Sequence, residues 1–81
     1  MKRDDNRQIK LGGSIASPSG DEWYTFGFVM EGGFRRYLAT YHSTDYPDGF
    51  ITDTARFIVN LVHRIERRHP TWTYTAISAI N

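Results

Sequence analysis

An α+β domain, with one amphipathic helix laid on one face of an antiparallel sheet in the order β-β-β-α-β, is the fold class this sequence predicts. Three observations carry it. First, the glycine pair Gly32-Gly33 separates two segments of alternating apolar residues, Trp23 to Glu31 and Phe34 to Ser43, the pattern of a hairpin closed by a two-residue loop whose central positions both need positive φ. Second, Ala55, Ile58, Leu61, Val62 and Ile65 recur at helical spacing within Thr52 to His69, which gives that segment one apolar side. Third, Thr71 to Ile80 returns to period two, with Trp72, Tyr74 and Ala76 set against Thr73, Thr75 and Ile77. Its β-branched and aromatic residues favour a strand.

Taken in chain order, the first strand is expected over Gln8 to Ile15, where Ile9, Leu11 and Ile15 lie among polar positions and Gly12-Gly13 marks a bulge. The run Ser17-Pro18-Ser19-Gly20 then makes a loop of Ala16 to Asp21. The Gly32-Gly33 loop sets the hairpin register: Glu31 faces Phe34, Met30 faces Arg35, Phe28 faces Tyr37, Phe26 faces Ala39 and Tyr24 faces Tyr41. Tyr24, Phe26, Phe28, Met30, Tyr37, Ala39 and Tyr41 thereby share one face. Trp23, Thr25, Gly27 and Val29 share the other with Phe34, Arg36, Leu38, Thr40 and His42. Each bulky side chain meets a light neighbour, Leu38 against Gly27 and Phe26 against Ala39.

Thr44 to Gly49, with its Pro47 and Gly49, reads as a turn. A helix N-capped by Thr52 or Asp53 is expected to follow. Arg64, Arg67, Arg68 and His69 sit where the carbonyl end of that helix favours positive charge, and Pro70 stops it. If the helix covers the aromatic face, the core is Phe26, Phe28, Tyr37, Ile58, Leu61, Val62 and Ile65. Phe28→Ala should then cost about 3 to 5 kcal/mol.

The 81 residues make a single α+β domain, and the absence of cysteine rules out disulfide support. The start Met1-Lys2-Arg3-Asp4-Asp5-Asn6-Arg7 leads into no apolar run, so the expectation is a cytoplasmic protein with no membrane partner. A net charge of +1 is too small to direct the chain to nucleic acid by itself, but the charge is uneven. Residues 1 to 53 hold six Lys/Arg against eight Asp/Glu, whereas 54 to 81 hold four Arg against Glu66 alone. Eight of the ten basic residues are arginine, whose planar fork suits carboxylate, phosphate and aromatic partners.

No catalytic, cofactor or metal signature emerges. His63 and His69 would point about 120° apart on a helix, and Asp45, Asp48 and Asp53 lack the spacing of a calcium loop. Ser43 and His42, with Asp45 close by, are the nearest approach to a nucleophile and base, but adjacent strand residues face opposite ways. Gly12-Gly13-Ser14 and Gly32-Gly33 are too short to cradle phosphates. These readings point to a non-enzymatic protein.

Binding surfaces are more promising. At about 100° per residue, Asn60, His63, Arg64 and Arg67 fall within roughly 80° of Arg56, a polar cationic stripe opposite the apolar side. Phe34, Arg35 and Arg36 add aromatic and cationic groups at the hairpin tip. The predicted partner-binding residues are therefore Phe34, Arg35, Arg36, Arg56, Asn60, His63, Arg64 and Arg67. On the second sheet face, Trp23, Val29, Phe34 and Leu38, with Trp72 or Ile77, form an apolar patch that one helix cannot cover. In size, lack of cysteine and β-rich one-helix layout the chain resembles the small phage-encoded inhibitors called anti-CRISPR proteins. That likeness is architectural, spans the whole chain and assigns no residue a role. It implies a protein that docks on a CRISPR effector complex and blocks target-DNA binding or nuclease recruitment. A nucleic-acid-binding module using the helix stripe is the second reading, and a homodimer joined through the spare sheet face is the third.

Overall fold

A computed structural model describes residues 11–79 of the chain. Five strands and one helix follow in order: β1 (Leu11–Ala16), β2 (Glu22–Glu31), β3 (Phe34–Ser43), β4 (Tyr46–Ala55), α1 (Ile58–Arg68) and β5 (Thr73–Ala79). The strands form one antiparallel sheet in the spatial order β4-β3-β2-β1-β5. The expected α+β class holds, with one strand more than the sequence pattern indicated. The Gln8 to Lys10 part of the first predicted strand, and Ile80 of the last, lie outside the described residues.

The β2–β3 hairpin adopts the predicted register throughout, from Glu31↔Phe34 to Tyr24↔Tyr41. Gly32 (φ 58°) and Gly33 (φ 85°) occupy the two positive-φ positions that the loop demands. The register between β1 and β5 also shifts at Gly12/Gly13, where the glycine pair predicted a bulge.

Thr44 to Gly49 departs from expectation. The chain reverses at Thr44-Asp45 alone, and Tyr46 already pairs with Ser43. Pro47, Asp48 and Gly49 are then spent as a bulge between the Ser43↔Tyr46 and Tyr41↔Phe50 pairs. Gly49 at φ 75° lets the strand resume. Phe50, Ile51, Thr52 and Thr54 continue β4 rather than opening a helix, because their β-branched and aromatic side chains suit a pleated strand. Their backbone also satisfies the outer edge of β3, which would otherwise be left unpaired. The helix predicted from Thr52 therefore begins six residues later, at Ile58. Neither Thr52 nor Asp53 caps it: the N-cap is Phe57, which makes no side-chain capping bond. At the other end the expectation holds, with Arg67 and Arg68 in the last turn and the His69 amide donating to the Ile65 and Glu66 carbonyls.

Helix α1 rests on the first sheet face against β3 and β4. Ile58, Leu61, Val62 and Ile65 are buried against Ile15, Tyr24, Phe26, Tyr37 and Ala39, together with Ala55, the last residue of β4 rather than a helical one. Phe28, expected in the core, is only partly buried. It packs against the margin of the core, edge-on to Tyr37 at 5.9 Å between ring centroids. Trp72 is not on the spare face either; it joins the core side, stacked on His69 at 3.9 Å and tilted against Tyr24. No helix among the described residues is long and apolar enough to cross a membrane.

Candidate functional site

The predicted contact residues separate into two groups at opposite ends of β2. At the hairpin end, register does the assembling. Ala55 pairs with Tyr37, so Arg56 and Phe57 leave the sheet beside the residues that precede Tyr37, and a link between β4 and α1 arrives at the β2–β3 tip. There the Arg56 guanidinium lies 4.4 Å from the Phe34 ring centroid. Arg35 covers Phe28 at 4.5 Å, and Arg36 Nε donates to Glu31 Oε1 at 3.0 Å. Glu31, Phe34, Arg35, Arg36 and Arg56 line a concavity of about 240 Å³. Exposed apolar side chains gather at this end of the sheet: Met30 is 62% exposed, Phe34 57%, Phe57 52% and Val29 47%. Exposure of this kind on neighbouring residues is characteristic of a contact surface.

The second group lies at the far end. His63, Glu66, Arg67, His69, Pro70 and Trp72 line a broader depression of about 440 Å³. His69 is held by the Trp72 stack and by its Nε2, 3.3 Å from the Tyr24 hydroxyl.

Between the groups, the expected continuous stripe does not form. Arg56 precedes the helix, so only Asn60, His63, Arg64 and Arg67 belong to it. Arg64 turns back to the sheet, where its Nη1 reaches the Thr54 carbonyl at 3.4 Å and Asp53 Oδ1 at 3.8 Å. Asp53 faces α1 from β4 and also accepts from Arg68 Nη1 at 3.0 Å, an interaction that raises the Arg68 pKa further above its ordinary value. One carboxylate thus clamps two turns of the helix to the edge strand. Among the described residues, Arg67 is the one arginine held by neither a carboxylate nor a ring.

Spare hydrogen-bonding capacity for catalysis is scarce around His42 and Ser43. His42 Nδ1 donates to the Pro47 carbonyl at 2.7 Å, its Nε2 is 3.0 Å from Thr25 Oγ1, and its ring stacks on Trp23 at 5.4 Å. Ser43 Oγ accepts from the Tyr46 amide at 3.1 Å. No group of three His, Cys, Asp or Glu among the described residues is arranged to hold a metal ion.

Met30, at the hairpin tip in sequence, and Phe57 stand outside the predicted contact residues although both are exposed at this end. Phe57 did carry a signal, as an aromatic residue that falls outside the Ile58-Leu61-Val62-Ile65 stripe. Comparison of the chain with models of protein families, with curated proteins and with solved structures finds no match.

Proposed function

We propose that this chain is a small non-enzymatic binding protein that engages a partner protein through the β2–β3 tip and blocks that partner sterically. The observation that supports this reading is the concentration of exposed Val29, Met30, Phe34 and Phe57 around Arg35, Arg36 and Arg56 at one end of the domain. Aromatic, methionine and arginine side chains are the types that carry binding energy at interfaces. A hairpin tip supported by a five-stranded sheet presents them on a rigid base. In its most concrete form the reading is an anti-CRISPR-type inhibitor, acting in the cytoplasm of the cell that holds the effector complex. There its body, 36 × 24 × 21 Å in extent, occludes the DNA path or the nuclease-docking surface.

Co-elution with purified CRISPR effector complexes, followed by target-DNA binding by the loaded complexes, tests the proposal. The native chain should co-elute with its effector and suppress DNA binding or cleavage. A Met30→Ser/Phe57→Ser variant should lose both while keeping its helix and sheet spectrum, and Arg67→Glu, at the far end, should keep both. Undiminished inhibition by the tip variant would remove the tip from the mechanism. Direct binding of the chain to an oligonucleotide, falling steeply with salt as phosphate contacts require, would favour the nucleic-acid reading instead.

A further inference from the structure

The geometry points to Arg56 as the anchor for a carboxylate on an acidic, partly apolar segment of the partner protein. This deepens the tip reading above and rests on it. The Arg56 guanidinium lies over the Phe34 ring, its Cζ 4.4 Å from the centroid, and a cation held on a ring face in this way still has N–H donors to offer a carboxylate. The ring also restrains a side chain that would otherwise lose considerable freedom on binding, so part of the ordering cost is met when the chain folds. Three other cations are already paired with carboxylates. Arg36 already donates to Glu31, and Arg64 and Arg68 share Asp53. Among the described residues no carboxylate pairs with Arg56.

Size and surroundings decide between possible occupants. The concavity of about 240 Å³ lies below the roughly 300 to 1,000 Å³ of small-molecule sites, and suits a single acidic side chain. Glu31 on its wall is already paired with Arg36, which leaves Arg56 as the cation open to a single added carboxylate. The exposed Met30, Phe57 and Val29 at the same end of the domain would gain nothing from phosphates but would be buried by apolar residues flanking an Asp or Glu. Bidentate donation from arginine matches the geometry of a carboxylate.

Fluorescence anisotropy with three labelled probes tests the inference: a peptide alternating glutamate and leucine, its glutamine–leucine counterpart, and an oligothymidine strand. The native chain should bind the glutamate peptide about tenfold or more tighter than the glutamine one, the range expected for charge-assisted hydrogen bonds. Arg56→Gln should erase that preference. Arg56→Lys, which keeps the charge but not the planar fork, should erase most of it, and Phe34→Leu, which removes the ring beneath the guanidinium, should reduce it several-fold. Met30→Ser/Phe57→Ser should weaken both peptides. Equal binding of the two peptides by the native chain overturns the carboxylate anchor, and the tip reading survives that result if Met30→Ser/Phe57→Ser weakens both. Failure of the glutamate peptide to bind, or full retention of the preference by Arg56→Lys, also overturns the anchor. Tighter binding of oligothymidine, lost in Arg56→Gln, overturns it in favour of phosphate.

Discussion

Gly49→Ala is the substitution for which the structure makes the sharpest demand. Gly49 has φ 75°, a region where a residue with a β-carbon costs about 1 to 2 kcal/mol. A β-carbon there would also lie 2.5 Å from both His42 Nδ1 and the Tyr41 carbonyl oxygen. The carbonyl belongs to the β3 backbone and cannot retreat without disturbing the ladder. The imidazole must therefore swing away, losing its bond to Pro47, worth about 0.5 to 1.5 kcal/mol. Before the contact with the Tyr41 carbonyl is counted these give a loss of about 2.5 kcal/mol, so the melting temperature should fall by at least about 10 to 20 °C for a domain of this size. Thermal and denaturant unfolding followed by circular dichroism measures it. Gly27→Ala is the internal control, because a β-carbon on Gly27 meets nothing within 4 Å. It should leave stability unchanged or raise it by up to about 1 kcal/mol. If Gly49→Ala melts within a few degrees of the native chain, the bulge geometry and the role of His42 as its brace are both mistaken.

Other perturbations separate the remaining contributions. Phe26, 8% exposed beneath the helix, should cost about 3 to 5 kcal/mol when cut to alanine. Phe28→Ala should cost only about 1 to 2 kcal/mol, since that ring is partly buried and supports mainly Arg35; equal denaturant midpoints for the two variants would contradict the placement of the core. Asp53→Ala should lose about 1 to 2 kcal/mol by releasing Arg64 and Arg68, with a smaller loss at high salt, and an unchanged unfolding curve would deny the clamp. Arg64→Glu would set a second carboxylate against Asp53, which makes Arg67→Glu the cleaner probe of the helix face. The Tyr41 pKa is raised above 10.0 by its hydrogen bond to the Glu22 carboxylate, then by burial and the Glu22 charge, and that of Tyr74 is raised above 10.0 by burial and then by the charge of Glu66. Both phenols lose their protons more readily in the unfolded chain, so the stability they contribute is complete below about pH 10 and is lost as the pH rises through their folded values. Tyrosinate absorbance and denaturant midpoints taken across that range check this, and Glu22→Gln should bring the Tyr41 titration back down; no change in that titration would remove the Tyr41–Glu22 bond from the account.

The parts of the fold that could be read from residues are those governed by local rules. Gly32-Gly33 admits one kind of loop, and that loop aligns every pair from Glu31↔Phe34 to Tyr24↔Tyr41. The Ile58-Leu61-Val62-Ile65 spacing likewise has one buried side. The strand Tyr46–Ala55 is not legible in the residues, because Pro47-Asp48-Gly49 chemistry serves a turn or a bulge equally well and Thr52-Asp53 before an apolar run imitates a helix cap. What chose the strand was the unsatisfied outer edge of β3, which no local window contains.

Sequence alone thus determined an antiparallel hairpin, one amphipathic helix and the α+β class, because loop dihedrals and side-chain periodicity act over a few neighbouring residues. Only the tertiary structure decided which cations remain available. Asp53, placed on β4 facing α1, draws in Arg64 and Arg68. The Ala55↔Tyr37 pairing carries Arg56 to Phe34 across 22 residues of chain. Charge and aromatic contacts depend on distance in space, and those distances are set by strand register and by the position of the helix.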